Sequence, residues 1–217
     1  MKKFLILISA LLSVALASLA SFTDGQLEKN GKFEFSVTDP EYEWSQMDTK
    51  QVKVVLKSQY LSLESKIDNG LAFSVSELPI DVEDIPEFAF GINLKGLKID
   101  KKNSFGMIFD YQDMRNYKGI SISKKQYNYF TVKDGVLTVV KNGPVKFKGD
   151  YFNLLLQRVN GGIEFFLNGI EVCKLRKISL TSSYFGVFIN GKGKAQMPSF
   201  IMAIPEQEDT EQSTSNT

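Results

Sequence analysis

The sequence predicts an all-β chain folded as a two-sheet antiparallel sandwich, and three features carry that prediction. Apolar and polar residues alternate over most of positions 21–205, which puts one face of each strand in a core and the other toward water. Gly and Asx pairs break the alternation at short intervals, as turns do. Almost no stretch carries the 3.6-residue period of an amphipathic helix.

The ends stand apart from this pattern. Lys2 and Lys3 precede an apolar run from Phe4 to Leu16, and the small residues Ala15, Ala17, Ser18 and Ala20 follow the spacing of a secretory cleavage site. Residues 1–20 are therefore expected to be a signal peptide, and the mature chain to be secreted or held in a periplasm or cell envelope, with no membrane span after cleavage. From Glu206 to Thr217 there is no apolar residue, so this acidic tail is expected to be disordered. The domain between them is residues 21–205.

Within the domain, Phe33, Phe35 and Val37 alternate with Lys32, Glu34 and Ser36 as a first strand. Residues 40–50 read as a connection, beneath which the single Trp, Trp44, is expected to be buried. Val52, Val54 and Val55 fit a strand at least as well as a short helix, because β-branched side chains are stiff in a helix. Phe105, Met107, Phe109 and Tyr111 form one face of a strand that returns through Ile120 and Ile122. Tyr127, Tyr129 and Thr131 share a face, Lys133-Asp134-Gly135 makes a turn into the run 136–140, and Asn142-Gly143-Pro144 reads as the next turn. The clearest hairpin spans Ile163 to Lys174: Asn168-Gly169 supplies the two positive φ angles of a type I′ turn, setting Leu167 opposite Ile170 and Phe165 opposite Val172 on the dry side of the pair.

Composition narrows the chemistry. The 217 residues hold 26 Lys+Arg, 25 Asp+Glu, no His and one Cys. Without His there is no Ser-His-Asp or Cys-His catalysis, no His-ligated zinc and no imidazole switch. The near balance of charge argues against nucleic acid as a partner. Cys173 can form no internal disulfide, and its place in an Ile-Glu-Val-Cys-Lys-Leu strand suggests packing.

The run Gly106-x-x-Phe109-x-Tyr111-x-Asp113-x-x-Asn116-Tyr117 resembles a strand-loop-strand of the concanavalin A-like lectin/glucanase sandwiches, which include laminin G-like modules and 3-keto-disaccharide hydrolase-type domains of secreted bacterial proteins. Asn153 to Val159, followed by Gly162-Ile163-x-Phe165-x-Leu167-Asn168-Gly169, is similar to a hairpin of the same group. So is the ending Tyr184 to Phe188 followed by Ser199-Phe200-Ile201, with Ser199 where Asp is common. The resemblance implies a jelly roll of roughly a dozen strands, and in many members a concave face or loop edge that binds glycans or proteins.

Sugar sites combine aromatic rings with amides or carboxylates. Two clusters answer to that: Tyr111, Asp113, Arg115, Asn116 and Tyr117, and, shortly after, Gln126, Tyr127, Asn128 and Tyr129. From them the ligand-binding set is expected to be Tyr111, Asp113, Arg115, Asn116, Tyr117, Tyr127 and Tyr129. The glucanase branch works with a Glu-x-Asp-x-(x)-Glu strand; Asp81-x-Glu83-Asp84-x-Pro86-Glu87 departs from it in order and through its Pro, and Glu41-x-Glu43-Trp44 lies in the connection. No catalytic residue is assigned. No cofactor is expected; calcium, which the resemblance allows, would look to Asp110, Asp113 and Asn116. Lys95, Lys98, Lys101, Lys102, Lys124 and Lys125 are read as soluble surface ahead of an anionic polysaccharide site. The leading expectation is a carbohydrate-binding sandwich without catalysis, with a glycan or polysaccharide as partner. The alternatives are a carboxylate-dependent hydrolase of the 3-keto-disaccharide type and an envelope structural or protein-interaction module. Oligomeric state is left open.

Overall fold

A computed structural model describes residues 32–83 and 85–203. The predicted signal segment and acidic tail lie outside the described residues, which are all strand and connection, with no helix among them. The strands are β1 (Lys32–Ser36), β2 (Met47–Asp48), β3 (Val52–Leu56), β4 (Leu61–Ser65), β5 (Leu71–Glu77), β6 (Phe88–Ile99), β7 (Ser104–Asp113) and β8 (Asn116–Ser123). They continue with β9 (Gln126–Lys133), β10 (Val136–Pro144), β11 (Phe152–Val159), β12 (Gly162–Leu167), β13 (Ile170–Leu175), β14 (Tyr184–Asn190), β15 (Gly193–Met197) and β16 (Ser199–Ala203).

All pairings are antiparallel. One sheet of six strands runs β10-β9-β8-β7-β14-β5, and a ten-stranded sheet runs β13-β12-β11-β6-β15-β4-β3-β2, with β16 and β1 off that path. The long β6 organises the second sheet. Its other flank is β11, while β15 and then β16 follow one edge in succession. Pro198, which has no N–H to give a ladder, separates them, and beyond it β16 pairs outward with β1 instead of β4.

Every second residue of the facing strands fills the space between the sheets. Phe105 packs on Phe152 at 5.2 Å between ring centres, Phe109 on Phe165 at 5.4 Å and Phe90 on Phe185 at 5.0 Å, so rings from the two sheets interdigitate. Trp44 is buried with its ring edge-on to Phe200 at 5.5 Å, and Cys173 is buried in the same core.

Four local expectations change. Tyr111 does not share the face of Phe109: Asp110 takes φ 51° and the β7–β8 register shifts after Phe109, which turns Tyr111 to the outside. The Asn168-Gly169 turn forms with φ 50° and 78° and Leu167 meets Ile170, but a bulge then sets Phe165 opposite Cys173 in place of Val172. Ile170, expected on the dry side, is 68% exposed because β13 is a sheet edge. The Asn142-Gly143-Pro144 turn is instead the end of β10, where Gly143 lets the strand pass against the ring of Tyr127.

Candidate functional site

The outer face of the six-stranded sheet is built from residues that alternation sends away from the core. Strand register lays them out in rows. One row carries Leu71, Asn190, Ser104 and Ser123 on β5, β14, β7 and β8. The next carries Phe73, Phe188, Gly106, Ser121, Asn128 and Asn142 on β5, β14, β7, β8, β9 and β10. A third carries Val75, Gly186, Ile108, Gly119, Phe130 and Val139. Polarity falls from the first row to the third.

The apolar rows form a second, smaller core on the outside of the sandwich, with Val75, Ile108, Phe130, Val132 and Phe188 buried and Leu71, Phe73, Tyr111 and Tyr117 packed against them. Five rings run in a chain, Phe73 to Tyr111 at 6.4 Å, Tyr111 to Tyr117 at 6.1 Å, Tyr117 to Phe130 at 6.2 Å and Phe130 to Phe188 at 6.1 Å. The last two contacts are edge-to-face, the favoured aromatic geometry. Burial raises the Tyr111 and Tyr117 phenols above their ordinary range, so both remain neutral donors.

Above this floor lies a groove of about 440 Å³. Ile108, Phe130, Phe188 and Tyr117 form its base, and Leu137 and Val139 of β10 one wall. Ser104, Ser121, Ser123, Gln126, Asn128 and Asn190 supply the polar groups, and Lys101 and Lys102 stand at the rim. The amides are oriented: Gln126 Nε2 donates to Asn128 Oδ1 at 3.2 Å, and Asn128 Nδ2 to Ser121 Oγ at 3.4 Å. No Asp or Glu is among the lining residues. The arrangement can meet hydroxyls with amides and hydroxyls over an apolar base.

The seven residues expected to bind ligand fall in three places. Tyr111 and Tyr117 are on the outer face, Tyr117 in the groove itself. Tyr127 and Tyr129 are on the opposite side of the sheet, 6% and 2% exposed, in the core between the sheets. Asp113, Arg115 and Asn116 make the β7–β8 turn and are spent on it: Asn116 Nδ2 donates to Asp113 Oδ2 at 3.0 Å, the Arg115 amide to Asp113 Oδ1 at 2.6 Å, and Arg115 Nη2 to the Asp134 carbonyl at 3.0 Å. The Asn116 amide, first, and the Arg115 amide hold the Asp113 carboxyl below its usual range. The groove instead uses Gln126 and Asn128, which alternate with the two core tyrosines along β9, and residues of β7, β8 and β14 that only the strand register brings alongside them.

Calcium does not fit the residues named for it. Asp110 Oδ2 takes Lys118 Nζ at 2.5 Å, and its Oδ1 takes the amides of Thr181 at 2.6 Å and Ser182 at 2.9 Å. Asp113 is occupied as described, and among the described residues no three carboxyl or thiol groups converge on a metal position.

No protein-family model matches the chain, and no curated protein matches it in sequence. Solved structures do match in shape. A carbohydrate-binding module, CBM66 from Bacillus subtilis, superposes with a TM-score of 0.56 at 11% identity, covering 72% of this chain and 92% of that one. The carbohydrate recognition domain of Emp47p gives 0.58 at 8% identity, over 86% and 100%. A protein described as a native glycosidic hydrolase gives 0.55 at 12% identity, over 82% and 97%. The fold is a concanavalin A-like jelly roll. Identities this low establish architecture, and within the concanavalin A-like fold function is decided by the site.

Proposed function

We propose that this chain is a secreted or envelope-located carbohydrate-binding sandwich that holds a neutral stretch of saccharide in the groove on the six-stranded sheet. The observation that carries the reading is the row order: amides and hydroxyls of Asn190, Ser104, Ser121, Asn128 and Gln126 stand beside an aromatic base of Phe188, Phe130 and Tyr117. A pyranose presents both surfaces, a rim of hydroxyls and an apolar face, and a site that pairs each with its kind binds it without burying an unpaired polar group. The jelly-roll neighbours named for carbohydrate binding support the reading. Most glycosidases turn over their bond with two carboxyl groups about the reacting carbon, whereas amides, hydroxyls and lysines line this groove. The proposal is therefore binding without catalysis.

A neutral glycan array followed by calorimetry tests it. Asn128→Ala and Tyr117→Ala are expected each to weaken the best neutral ligand about tenfold, the loss of one good hydrogen bond or stacking contact, while Tyr127→Phe leaves affinity unchanged. Absence of neutral-glycan binding, or binding indifferent to Asn128 and Tyr117, overturns it.

A further inference from the structure

At the end of the sandwich where β4 passes to β5, β6 to β7 and β14 to β15, a second cleft of about 500 Å³ opens. Lys66, Lys98, Lys124, Lys192 and Lys194 line it, against two carboxylates, Glu64 and Asp100. Beneath it lie the core residues Leu97 and Phe152, and the half-buried Phe147 meets the Phe152 ring edge-to-face at 5.0 Å.

Among the described residues the ion pairs use Lys53, Lys118 and Lys174, and none of the five cleft lysines. The ladder also sets Lys194 directly opposite Lys98. Like charges directly opposite one another destabilise a sheet, and Glu64, opposite Lys194 on its other side, makes no close ion pair with it. With five lysines against two carboxylates, the cleft carries a net positive charge.

We propose that this cleft binds the anionic groups, carboxylate or sulfate, of an acidic saccharide chain. The half-buried Phe147 ring offers the apolar contact to a sugar face while the lysines take the charge. Lys101 and Lys102, on the rim of the groove, stand in the turn that follows Lys98 and Asp100, so the groove adjoins the cleft. The inference rests on the saccharide reading for the carrier of the charge, while the anion site stands on its own residues.

The test uses the full mature chain with oligogalacturonate as the carboxylate probe, dextran sulfate as the sulfate probe, and uncharged dextran and inorganic polyphosphate as references. Oligogalacturonate or dextran sulfate should bind at least tenfold more tightly than uncharged dextran and lose most of that advantage between 50 and 300 mM salt, as screening requires. The double variant Lys98→Gln/Lys194→Gln should lose tenfold or more in affinity for the acidic probe while its thermal midpoint holds or rises, because the cross-strand repulsion is relieved. Asn128→Ala should leave acidic binding intact, so a failed groove and a failed cleft give different results. Acidic probes bound no better than dextran, or bound equally by the double variant, overturn the site. Polyphosphate bound as tightly as the acidic sugars overturns the saccharide assignment.

Discussion

The ring of Phe130 lies so close over Gly119 that a Cβ on that glycine would fall 2.5 Å from the ring's Cζ. The two residues are Cα partners across β8 and β9, and the relation recurs one strand pair away, where Phe188 faces Gly106 and its Cε1 lies 3.0 Å from where a Cβ would be. Mid-strand glycine weakens a strand unless another group needs the space. Here the rings use it, lie down on the sheet, and leave a level base for the groove.

Gly106→Ala should therefore be among the costly single changes on this face. Its Cβ would sit 1.8 Å from the Ile120 carbonyl oxygen, which belongs to backbone and cannot swing aside. A loss of about 3 kcal/mol is expected, at the upper end for overpacking, with the groove ligand weakened in the material that still folds. Urea unfolding decides it, and a loss below 1 kcal/mol contradicts the close approach.

These glycines also show where the sequence stops being legible. Alternation groups Phe105, Met107 and Phe109 on one face of β7 and Tyr127 with Tyr129 on one face of β9, and Asn168-Gly169 locates a hairpin, because those signals are local and have one physical cause each. Glycine reads from sequence as punctuation, and three of the mid-strand glycines, Gly106, Gly119 and Gly186, are instead places where a neighbour presses in. The site fared similarly. Tyr127 and Tyr129 attract attention as aromatic residues, but period two sends them inward and Gln126 and Asn128 outward. Which residues of β14 and β7 stand next to Asn128 depends on pairing between strands distant in sequence, which no local pattern encodes.

Asp110 and Lys118 tie the end of β7 to the loop before β14. The 5%-exposed Asp110 holds Lys118 Nζ at 2.5 Å and two backbone amides at 2.6 and 2.9 Å, and Lys118 Nζ also donates to the Ser179 carbonyl at 2.6 Å. Asp110→Asn leaves Lys118 without its counter-charge and should lower stability by about 3 kcal/mol, while Asp110→Asn/Lys118→Met should cost less than the single change. Equal or additive losses in chemical unfolding would show that the pair contributes no coupling.

Alkaline pH should destabilise the sandwich through Tyr129. Burial, aided by the nearby Asp110 charge and Cys173, pushes its phenol up to about 12 from the ordinary value of 10. A raised folded-state value means that the folded form keeps a proton the unfolded form gives up, so the contribution is complete below pH 10 and is lost as pH rises through 12. Measured against Tyr129→Phe, wild-type stability should run parallel up to pH 10 and then fall behind by about 2 to 3 kcal/mol by pH 12. Parallel curves throughout refute the shift.

The edges of the two sheets are unequally guarded, and β10 is the weak one. On the opposite edge of the six-stranded sheet, β5 is capped by Ser45, whose amide donates to the Val75 carbonyl at 3.0 Å and whose Oγ accepts from the Val75 amide at 3.0 Å. In the larger sheet β2 is two residues long and held by the Lys53–Asp48 pair, while β13 carries Glu171 and Lys174. By contrast β10 is nine residues long, and its Val136, Leu137, Val139 and Val140 are 66, 57, 46 and 57% exposed with no charge until Lys141. Long apolar edges recruit other strands unless a charge interrupts them. Concentration-dependent association is expected, and Val136→Lys/Val140→Lys should abolish it in sedimentation velocity at a stability cost below about 0.5 kcal/mol, since both side chains already face water. Association that survives the double change would place the contact on another surface.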